Sequence, residues 1–392
     1  MNLLILQTSV QDYINNNQNN DVNKIALAKP IFEGVSSAEL AGQITAKKKS
    51  KHKLPTWYNQ EKIYYPVLLS IEQCSSEQTA MYKANLAIGD NLIDLTSGFG
   101  VDSFFFAKNC QHVYSCEINT ELASISAHNA KTLGAENLTV LTENGIDFLK
   151  NTQIIFDTVY IDPARRSESA KVFKLKDCTP DVTVHLDEWL QKAKRIVIKT
   201  APLLDISAGL SELKNVSEIH IVSVKNECKE ILWVIDRDPI GEIEITCATL
   251  NHSIKTITFP IAALQTSTKI ATNVPEGFLY EPDVALLKSG AFNYVAEKFD
   301  LQKLHQHSQL YFSENFNDEF LGRIFEIEHI STVSELKKSK ELIGNVIVRN
   351  YPERAENLVK KYKIKPHDSN FILFTKNENG YIVIFAKIKQ HY

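Results

Sequence analysis

The sequence predicts an α/β fold with a mostly parallel sheet that ends in an antiparallel hairpin. Between residues 91 and 235, short apolar runs alternate with segments of helical spacing, and this alternation is typical of parallel strands joined by helices. The runs are apolar throughout, as expected for strands that are covered on both faces. The last two runs are separated only by Lys225-Asn-Glu-Cys-Lys-Glu, which is too short for a crossover helix, so we expect them to pair antiparallel.

The elements of this sheet follow one another in chain order. We expect strands at 91–95, 112–116, 138–142, 155–161, 195–199, 217–224 and 230–235. We expect helices near 101–108, 119–133, 145–150, 183–193 and 205–213. The chain has 392 residues, which is too long for one hydrophobic core, so further domains are expected on both sides of the sheet.

Two segments beside the sheet have simple patterns. Residues 1–88 are predicted to be mainly helical, with Ser36 or Ser37 as an early helix cap. Residues 241–275 contain alternating isoleucines around a polar turn, which predicts a β extension after the sheet.

The C-terminal segment, residues 322–392, is predicted to form a small domain with the order strand, helix, strand, helix, strand, strand. Thr332 and Glu335 have the spacing of a capping box for its first helix. Asn350 is predicted to cap the second helix, because Pro352 and Glu353 follow it. The sequence Asn-Glu-Asn-Gly380 between two apolar runs predicts a final hairpin.

Charge and cysteine content limit the classes of function. The net charge is −4, yet residues 45–65 carry six lysines against one glutamate, and residues 337–365 carry nine lysines or arginines against three glutamates. These zones suit an anionic polymer, although each is also consistent with an ordinary solvated face. The six cysteines form no CxxC pair, so we expect no metal site, no disulfide framework and a reducing, cytoplasmic location. We expect no signal peptide and no membrane partner.

The turn after the first strand, Asp94-Leu-Thr-Ser-Gly-Phe-Gly-Val-Asp102, has the features of a nucleotide-binding turn. Gly98 and Gly100 let the backbone approach a ligand closely, although tight packing of strand and helix would also explain them. Glu117 ends the next strand, where a carboxylate can accept both ribose hydroxyls of a nucleoside. Asn144, or Asp147 as a second choice, follows the third strand and is placed to bind the adenine amine; a helix cap is the alternative for Asn144.

The charges of this turn indicate which nucleoside it binds. A dinucleotide turn keeps the tight spacing GxGxxG for a pyrophosphate, but this chain has Thr96 in the first glycine position. Asp94 and Asp102 would repel a pyrophosphate, whereas they would attract the sulfonium and ammonium groups of S-adenosylmethionine. The sequence therefore favours S-adenosylmethionine as the cofactor.

The fourth strand ends in Asp162-Pro-Ala-Arg-Arg166, at the edge of the sheet where open α/β sheets bind ligands. Oxygens of Asp162 and of the Pro163 backbone can orient an amine toward the methyl group. Arg165 and Arg166 can bind a phosphate or stack on a base, or pair with an acid such as Asp181. Covalent catalysis would need a cysteine near this strand, and Cys178 and Cys228 lie in no recognisable nucleophile context.

Several long motifs resemble one bacterial family, the THUMP-like class I S-adenosylmethionine-dependent methyltransferases. They are KLPTW (53–57), SSEQTAMYKA (75–84), DLTSGFGVDS (94–103), YIDPARR (160–166), KTAPLLD (199–205), VKNECKEIL (224–232) and LYEPDVALLKSGAF (279–292). The resemblance implies a methyltransferase domain at 89–240, a ferredoxin-like segment at 276–320 and a THUMP-like α+β domain at 322–392. It also implies a structured RNA substrate, with tRNA favoured.

The resemblance also assigns site residues. Asp94, Thr96, Gly98 and Gly100 fall in the first methyltransferase motif, and Glu117 falls on the ribose-binding acid. Asp162 and Pro163 fall on the catalytic Asp/Asn-Pro-Pro-aromatic motif, with Ala164 and Arg165 in its last two positions. This departure leaves guanine or a ring nitrogen open as the target instead of the adenine amine. A protein or small-molecule substrate, or a non-catalytic RNA-binding protein, are the alternative functions.

Overall fold

The computed structural model of the protein describes residues 1–165, 174–268, 270–336 and 341–392. Its contacts divide the chain into two compact units. The first unit comprises Met1–Ser217 and Leu232–Gly241, and the second comprises Glu218–Ile231 and Glu242–Tyr392. No helix in the described ranges combines the length and the apolar composition needed to cross a bilayer.

The first unit begins with a helical region that precedes its sheet. The helices are α1 (Thr8–Asn16), α2 (Val22–Leu27), α3 (Ser37–Lys53), α4 (Pro55–Asn59), α5 (Leu68–Gln73) and α6 (Glu77–Ala84). Ser36 is the cap of α3, as one of the two predicted alternatives had it. The Glu39 amide donates to Ser36 Oγ at 3.2 Å and the Ser36 amide donates to Glu39 Oε2 at 2.9 Å, which completes a capping box.

Strands and helices then alternate along the chain as predicted. The elements are β1 (Asn91–Asp94), α7 (Val101–Phe106), β2 (His112–Cys116), α8 (Thr120–Thr132), β3 (Leu138–Leu141), α9 (Gly145–Asn151), β4 (Phe156–Ile161), β5 (Ala164–Arg165), β6 (Cys178–Thr179), α10 (Leu186–Lys192), β7 (Ala193–Thr200), α11 (Ile206–Glu212), β8 (Val216–Val224) and β9 (Glu227–Asp236). The short strands β5 and β6 pair only with each other, and residues 218–231 of β8 and β9 belong to the second unit. In the strand order β3-β2-β1-β4-β7-β9, β2 lies on one side of β1 and β4 on the other, so the order of the strands reverses beside β1. The pairs β1–β2, β2–β3, β1–β4 and β4–β7 are parallel.

The predicted antiparallel hairpin is formed by β8 and β9. Its turn is shorter than the sequence suggested, because Lys225 and Asn226 both adopt positive φ, at 50° and 58°. Two consecutive left-handed residues make a tight hairpin turn whose twist matches that of the strands. The strands therefore extend into the segment that looked like a loop. This confirms the predicted fold class, a mostly parallel sheet with an antiparallel hairpin. The hairpin is not the edge of the sheet, because β8 also pairs in parallel with the later strand Glu244–Leu250.

The second unit holds the remaining strands. They and their helices are β10 (Glu244–Leu250), β11 (Ile254–Pro260), β12 (Phe278–Pro282), α12 (Val284–Ser289), α13 (Phe292–Lys298), β13 (Gln302–Lys303), β14 (Tyr311–Ser313), β15 (Gly322–Ser331), α14 (Val333–Leu336), β16 (Asn345–Val348), α15 (Ala355–Tyr362), β17 (Asn370–Asn377) and β18 (Gly380–Gln390). Seven strands form one sheet in the order β13-β14-β12-β15-β18-β17-β16. Leu336 of α14 and Leu358 of α15 pack with Phe374 on one face of this sheet.

The capping predictions for the C-terminal segment have mixed outcomes. Thr332 and Glu335 form the predicted box, with the Thr332 amide donating to Glu335 Oε2 at 2.7 Å. Asn350 does not cap α15, because the helix begins at Ala355 with Arg354 before it. Instead, Asn350 adopts a positive φ of 53° and its amide contacts Ser308 Oγ at 3.3 Å. Pro352 favours an extended residue before it, which moved the start of the helix beyond the predicted first turn.

Candidate functional site

The first unit contains a cavity at the carboxyl ends of β1, β2 and β4. Its volume is about 510 Å³, which lies within the usual range for pockets that bind small molecules. Among the described residues, its walls include Thr96, Gly98, Asp102, Glu117, Asn144 and Asp162 from the predicted set. The structure therefore brings together residues that are spread over a long stretch of sequence, because parallel strands end at the same edge of a sheet.

The two glycines of the first turn have different roles. Gly98 has a φ of 56°, and a Cβ added to it would meet nothing within 4 Å, so its missing side chain keeps the cavity wall open. Gly100 has a φ of 81° and precedes α7, but a Cβ there would lie 2.2 Å from Ser126 Oγ of α8. Gly98 fits close approach to a ligand, and Gly100 fits the packing alternative.

This difference predicts distinct effects of two matched substitutions. Gly100→Ala should lower the free energy of unfolding by roughly 2–4 kcal/mol, since left-handed strain and a steric clash add. Gly98→Ala should cost only about 1–2 kcal/mol, from the strain alone, but it should weaken binding of S-adenosylhomocysteine at least ~10-fold by filling the cavity wall. Urea unfolding and calorimetric titration measure the two effects.

A third variant separates the clash from the strain. Ser126→Ala combined with Gly100→Ala should recover part of the stability, because it removes the atom that a Cβ at position 100 would meet. Equal losses of stability at positions 98 and 100, with no recovery in the double variant, would contradict this assignment.

Glu117 is held in a fixed orientation at the cavity wall. The Gly98 amide donates to Glu117 Oε2 at 2.9 Å, and the Asn119 amide donates to Oε1 at 2.7 Å. The carboxylate is thus tied both to the first turn and to the start of α8. An ionised acceptor in a fixed orientation can take two further hydrogen bonds from vicinal hydroxyls. This geometry suits the predicted ribose contact.

Apolar side chains beside Glu117 were not predicted. Ile118 is 73% exposed and lines the cavity together with Leu122 and Ile146. An exposed isoleucine at the cavity wall offers an apolar surface to a flat group. No periodic signal in the sequence marks Ile118, because it lies in the loop after β2.

Asp94 lies outside the described lining of the cavity. Its carboxylate is buried and accepts hydrogen bonds from Ser103 Oγ at 2.6 Å and from the Thr96 amide at 3.0 Å. Burial raises the pKa of Asp94 to about 7, although both hydrogen bonds oppose this shift. Both contacts of Asp94 hold the turn in shape, and its predicted contact with a cofactor cation stays a prediction.

Asp102 lines the cavity, but protein groups already surround its carboxylate. Tyr160 donates to Asp102 Oδ2 at 2.9 Å, Ser75 donates to the same oxygen at 2.8 Å, and Lys83 Nζ lies 3.2 Å from Oδ1. The cation that neutralises Asp102 is therefore a buried lysine of the helical region. The pattern of charges in the turn could not reveal this partner, because Lys83 lies before the sheet in the sequence.

Asn144 caps a helix, as the alternative prediction had it, and it also lines the cavity. Its Oδ1 accepts hydrogen bonds from the Ile146 amide at 2.9 Å and from the Asp147 amide at 3.4 Å, which caps α9. Asn144 and Ile146 both line the cavity, whereas Asp147 does not belong to its described lining. A contact between Asn144 and an adenine amine remains a prediction.

Asp162 lines the cavity and contacts two described residues. Its amide donates to Thr96 Oγ1 at 2.8 Å, which joins the end of β4 to the first turn. Its carboxylate forms an ion pair with Lys199 at the end of β7. Pro163 is buried beside it, and Ala164 lines the cavity. The catalytic roles of Asp162 and Pro163 remain predictions.

Arg165 belongs to β5, where it pairs with Cys178 of β6. Its side chain, and the whole of Arg166, lie outside the described residues. The predicted phosphate or base contact of these arginines is therefore not addressed by the structure.

The helical region supplies one wall of the cavity, and sequence reasoning missed it. Ser70, Gln73, Cys74 and Ser75 all line the cavity. Ser75 and Lys83 stand in the motif SSEQTAMYKA, which was the available signal. Burial raises the pKa of the Cys74 thiol to about 11, and the pKa of Cys228 in the second unit is also raised to about 11 by burial. Such thiols stay protonated near neutral pH and are poor nucleophiles.

Comparison with known proteins agrees with this architecture. Residues 278–320 match a model described as a ferredoxin-like domain, and residues 322–387 match one described as THUMP domain-like. The solved structure of a candidate methyltransferase from Porphyromonas gingivalis W83 is 28% identical, with a TM-score of 0.87, and the similarity covers 99% of this chain and 98% of that one.

Two curated relatives match shorter regions. An uncharacterized RNA methyltransferase of Mycoplasma mobile is 30% identical over 22% of this chain and 24% of its own length. An uncharacterized S-adenosylmethionine-dependent methyltransferase of Mycobacterium tuberculosis is 24% identical over 42% of this chain and 44% of its own. The chain thus spans less than half the length of each of these relatives.

These matches and the strand order confirm both the predicted fold and the predicted resemblance. The chain is a protein of the class I S-adenosylmethionine-dependent methyltransferase fold, and it carries a ferredoxin-like domain and a THUMP-like domain.

Proposed function

We propose that this protein is an S-adenosylmethionine-dependent methyltransferase that acts on RNA. The observation that carries the proposal is the cavity at the carboxyl ends of β1, β2 and β4. It presents Glu117, with both carboxylate oxygens oriented by backbone amides, on the same cavity as Asp162. Ribose recognition and a reacting centre are thereby combined in one site.

The residues present fit this cofactor. Glu117, Ile118, Leu122 and Ile146 line the cavity. In this proposal Glu117 accepts the ribose hydroxyls, and the three apolar side chains contact the adenine ring. Gly98 has no side chain and leaves the cavity wall open for the cofactor. When bound, S-adenosylmethionine supplies an electrophilic methyl group on a sulfonium. No helix-terminus turn with the spacing of a pyrophosphate site is needed for such a ligand.

The protein's own contribution is to position the acceptor. Thr96 accepts a hydrogen bond from the Asp162 amide, so the reacting centre is tied to the turn that holds the cofactor. Methyl transfer requires an in-line approach of two bound groups, and a fixed geometry supplies much of the rate increase. The raised thiol pKa values of Cys74 and Cys228 favour direct transfer over a cysteine adduct.

An RNA substrate is supported by the second unit. The THUMP-like match covers residues 322–387, and α15 carries Lys360, Lys361 and the following Lys363, all exposed. Exposed lysines bind phosphates and release counterions. The relative from Mycoplasma mobile is named an RNA methyltransferase. Within this proposal, tRNA is the favoured RNA and a base nitrogen is the favoured methyl acceptor. The favoured location is the cytoplasm, because free thiols persist there.

The test is transfer of tritium from labelled S-adenosylmethionine to bulk RNA of a strain that lacks the gene. Lys360→Glu combined with Lys361→Glu should weaken RNA binding at least ~10-fold at moderate salt and should lower the salt dependence of binding, with each lost phosphate contact removing about 0.9 from the slope. Binding of S-adenosylhomocysteine should not change, because the cofactor cavity belongs to the first unit.

Lys131→Glu combined with Lys298→Glu is the control, since it makes the same change of charge at exposed lysines outside both basic zones. Absence of transfer to any RNA fraction would contradict the proposal. If the wild type methylates RNA and the variant with Lys360→Glu and Lys361→Glu keeps full activity and RNA binding, the proposed function stands and only the assigned RNA-binding surface is wrong. Transfer only to protein or to small molecules would favour that alternative.

A further inference from the structure

Asp162 and Lys199 form an ion pair at the ends of two neighbouring strands. Ile161 of β4 is in register with Ile198 of β7, so Asp162, the first residue after β4, lies beside Lys199, the penultimate residue of β7. The Asp162 side chain is 35% exposed and the Lys199 side chain is 17% exposed. Asp162 lines the cavity, and Lys199 reaches its Oδ2 from the adjacent strand.

Asp162 thus offers a hydrogen-bond acceptor at the cavity wall, and the ammonium donor of Lys199 lies directly behind it, outside the described lining. Every nucleobase has an edge with a donor next to an acceptor, so hydrogen bonding alone does not select one base. The chemistry of methylation, by contrast, distinguishes between acceptor atoms. An exocyclic amine needs only an acceptor that orients its hydrogens, and a neutral amide serves this purpose as well as a carboxylate. A cation close to the acceptor adds nothing to that reaction.

A lactam nitrogen, such as N1 of guanine or N3 of uracil, has a different requirement. Its lone pair is delocalised into the neighbouring carbonyl, and it carries a proton that must leave before nitrogen can attack a methyl group. As this proton leaves, negative charge develops on the carbonyl oxygen. A carboxylate that accepts the proton and an ammonium that stabilises the oxygen are the two groups that such a reaction uses.

We propose that the pair of Asp162 and Lys199 selects a lactam ring nitrogen of the RNA as the methyl acceptor. The Asp162 carboxylate accepts the N–H proton, and Lys199 Nζ stabilises the negative charge on the adjacent carbonyl oxygen. The nitrogen lone pair then forms the N–C bond, the S–C bond of the sulfonium methyl donor breaks, and its electron pair returns to sulfur. This inference rests on the proposed methyltransferase function and names its acceptor.

The residue after Pro163 agrees with this assignment. Ala164 lines the cavity and is exposed. Its methyl side chain provides no ring on which a flipped amino base would stack at this position. Selection of the acceptor is therefore assigned to the charges of Asp162 and Lys199.

Three variants of the full-length protein test the proposal. Asp162→Asn keeps an acceptor but cannot take a proton, so kcat should fall ~100- to 10,000-fold. Lys199→Met should lower kcat ~100- to 1,000-fold, whereas Lys199→Arg keeps a positive charge and should retain activity within ~10-fold. KM for RNA should change little in comparison. Binding of S-adenosylhomocysteine, measured by calorimetry, should be unchanged in all three variants.

The chemical identity of the product is the second readout. Mass spectrometry of nucleosides from the deletion strain, with and without the restored gene, should show the gain of a lactam N-methyl nucleoside, such as 1-methylguanosine or 3-methyluridine. A methylated exocyclic amine, a C-methyl nucleoside, or an Asp162→Asn variant with nearly full activity would overturn this inference while leaving the proposed function intact. Absence of any RNA methylation would instead overturn the proposed function.

Discussion

Replacing Glu117 with Ala is expected to weaken the binding of S-adenosylhomocysteine by a factor of at least ~100. The side chain is held by the amides of Gly98 and Asn119, and in the proposed complex it accepts two hydrogen bonds from the ribose. Each hydrogen bond to a charged group contributes about 1.5–3 kcal/mol, and each 1.4 kcal/mol corresponds to about tenfold in Kd. The substitution also leaves the Gly98 amide without its acceptor, so the turn should lose order. Isothermal titration calorimetry measures the effect directly.

The control for this experiment is Glu136→Ala. Glu136 is exposed and lies after α8, outside the cavity lining, so the same loss of charge should leave Kd unchanged. Glu117→Gln should have an intermediate effect, since an amide oxygen still accepts but without the charge. A Glu117→Ala variant that binds within ~3-fold of the wild type would show that the cavity does not hold a ribose at this position.

Replacing Lys83 with Met should produce the largest loss of stability, about 3–5 kcal/mol. Lys83 is fully buried, and its Nζ lies 3.2 Å from Asp102 Oδ1 and 2.9 Å from Ser75 Oγ. Removing one member of a buried ion pair leaves the other charge in a medium of low polarity. Urea unfolding near pH 8 measures the loss, and the fluorescence of Trp57, which packs on Phe104 of α7, reports on this region.

A double variant distinguishes loss of the charge from loss of packing. Asp102→Asn combined with Lys83→Met should recover a substantial part of the stability, because it removes the carboxylate that Lys83 neutralised. Lys131→Met, at an exposed position of α8, should change stability by less than ~0.5 kcal/mol. A double variant as unstable as Lys83→Met alone would mean that the ion pair is not the source of the effect.

The fold was largely predictable because the spacing of apolar residues within a short segment indicates whether that segment forms a strand or a helix. The apolar run at 155–161 becomes β4, Phe156–Ile161, and the helical spacing at 119–133 becomes α8, Thr120–Thr132. The hairpin of β8 and β9 was expected, but the predicted turn was longer than the observed one. Two consecutive left-handed residues, Lys225 and Asn226, shorten it, and a lysine in that conformation carries no signal in the sequence.

Site residues that directly follow strands could be predicted from the sequence. Contacts between residues that are far apart in the sequence could not. Glu117 and Asp162 follow strands directly, so the geometry of a parallel sheet places them at one edge. The role of Asp102 was not accessible in the same way, because its charge is neutralised by Lys83 from another part of the chain. Lys199 stands in the motif KTAPLLD, but only the register of β4 with β7 brings it to Asp162.

The wall formed by Ser70, Gln73 and Cys74 has a consequence for how this protein can evolve. These residues precede the Rossmann-like sheet, yet they line the cavity at its edge. Selection for the proposed function should therefore act on residues 70–75 as strictly as on the glycine turn. A homologue that lost this stretch would need to recruit a replacement barrier against solvent, and substitution rates along the leading helices should drop sharply at this short interval.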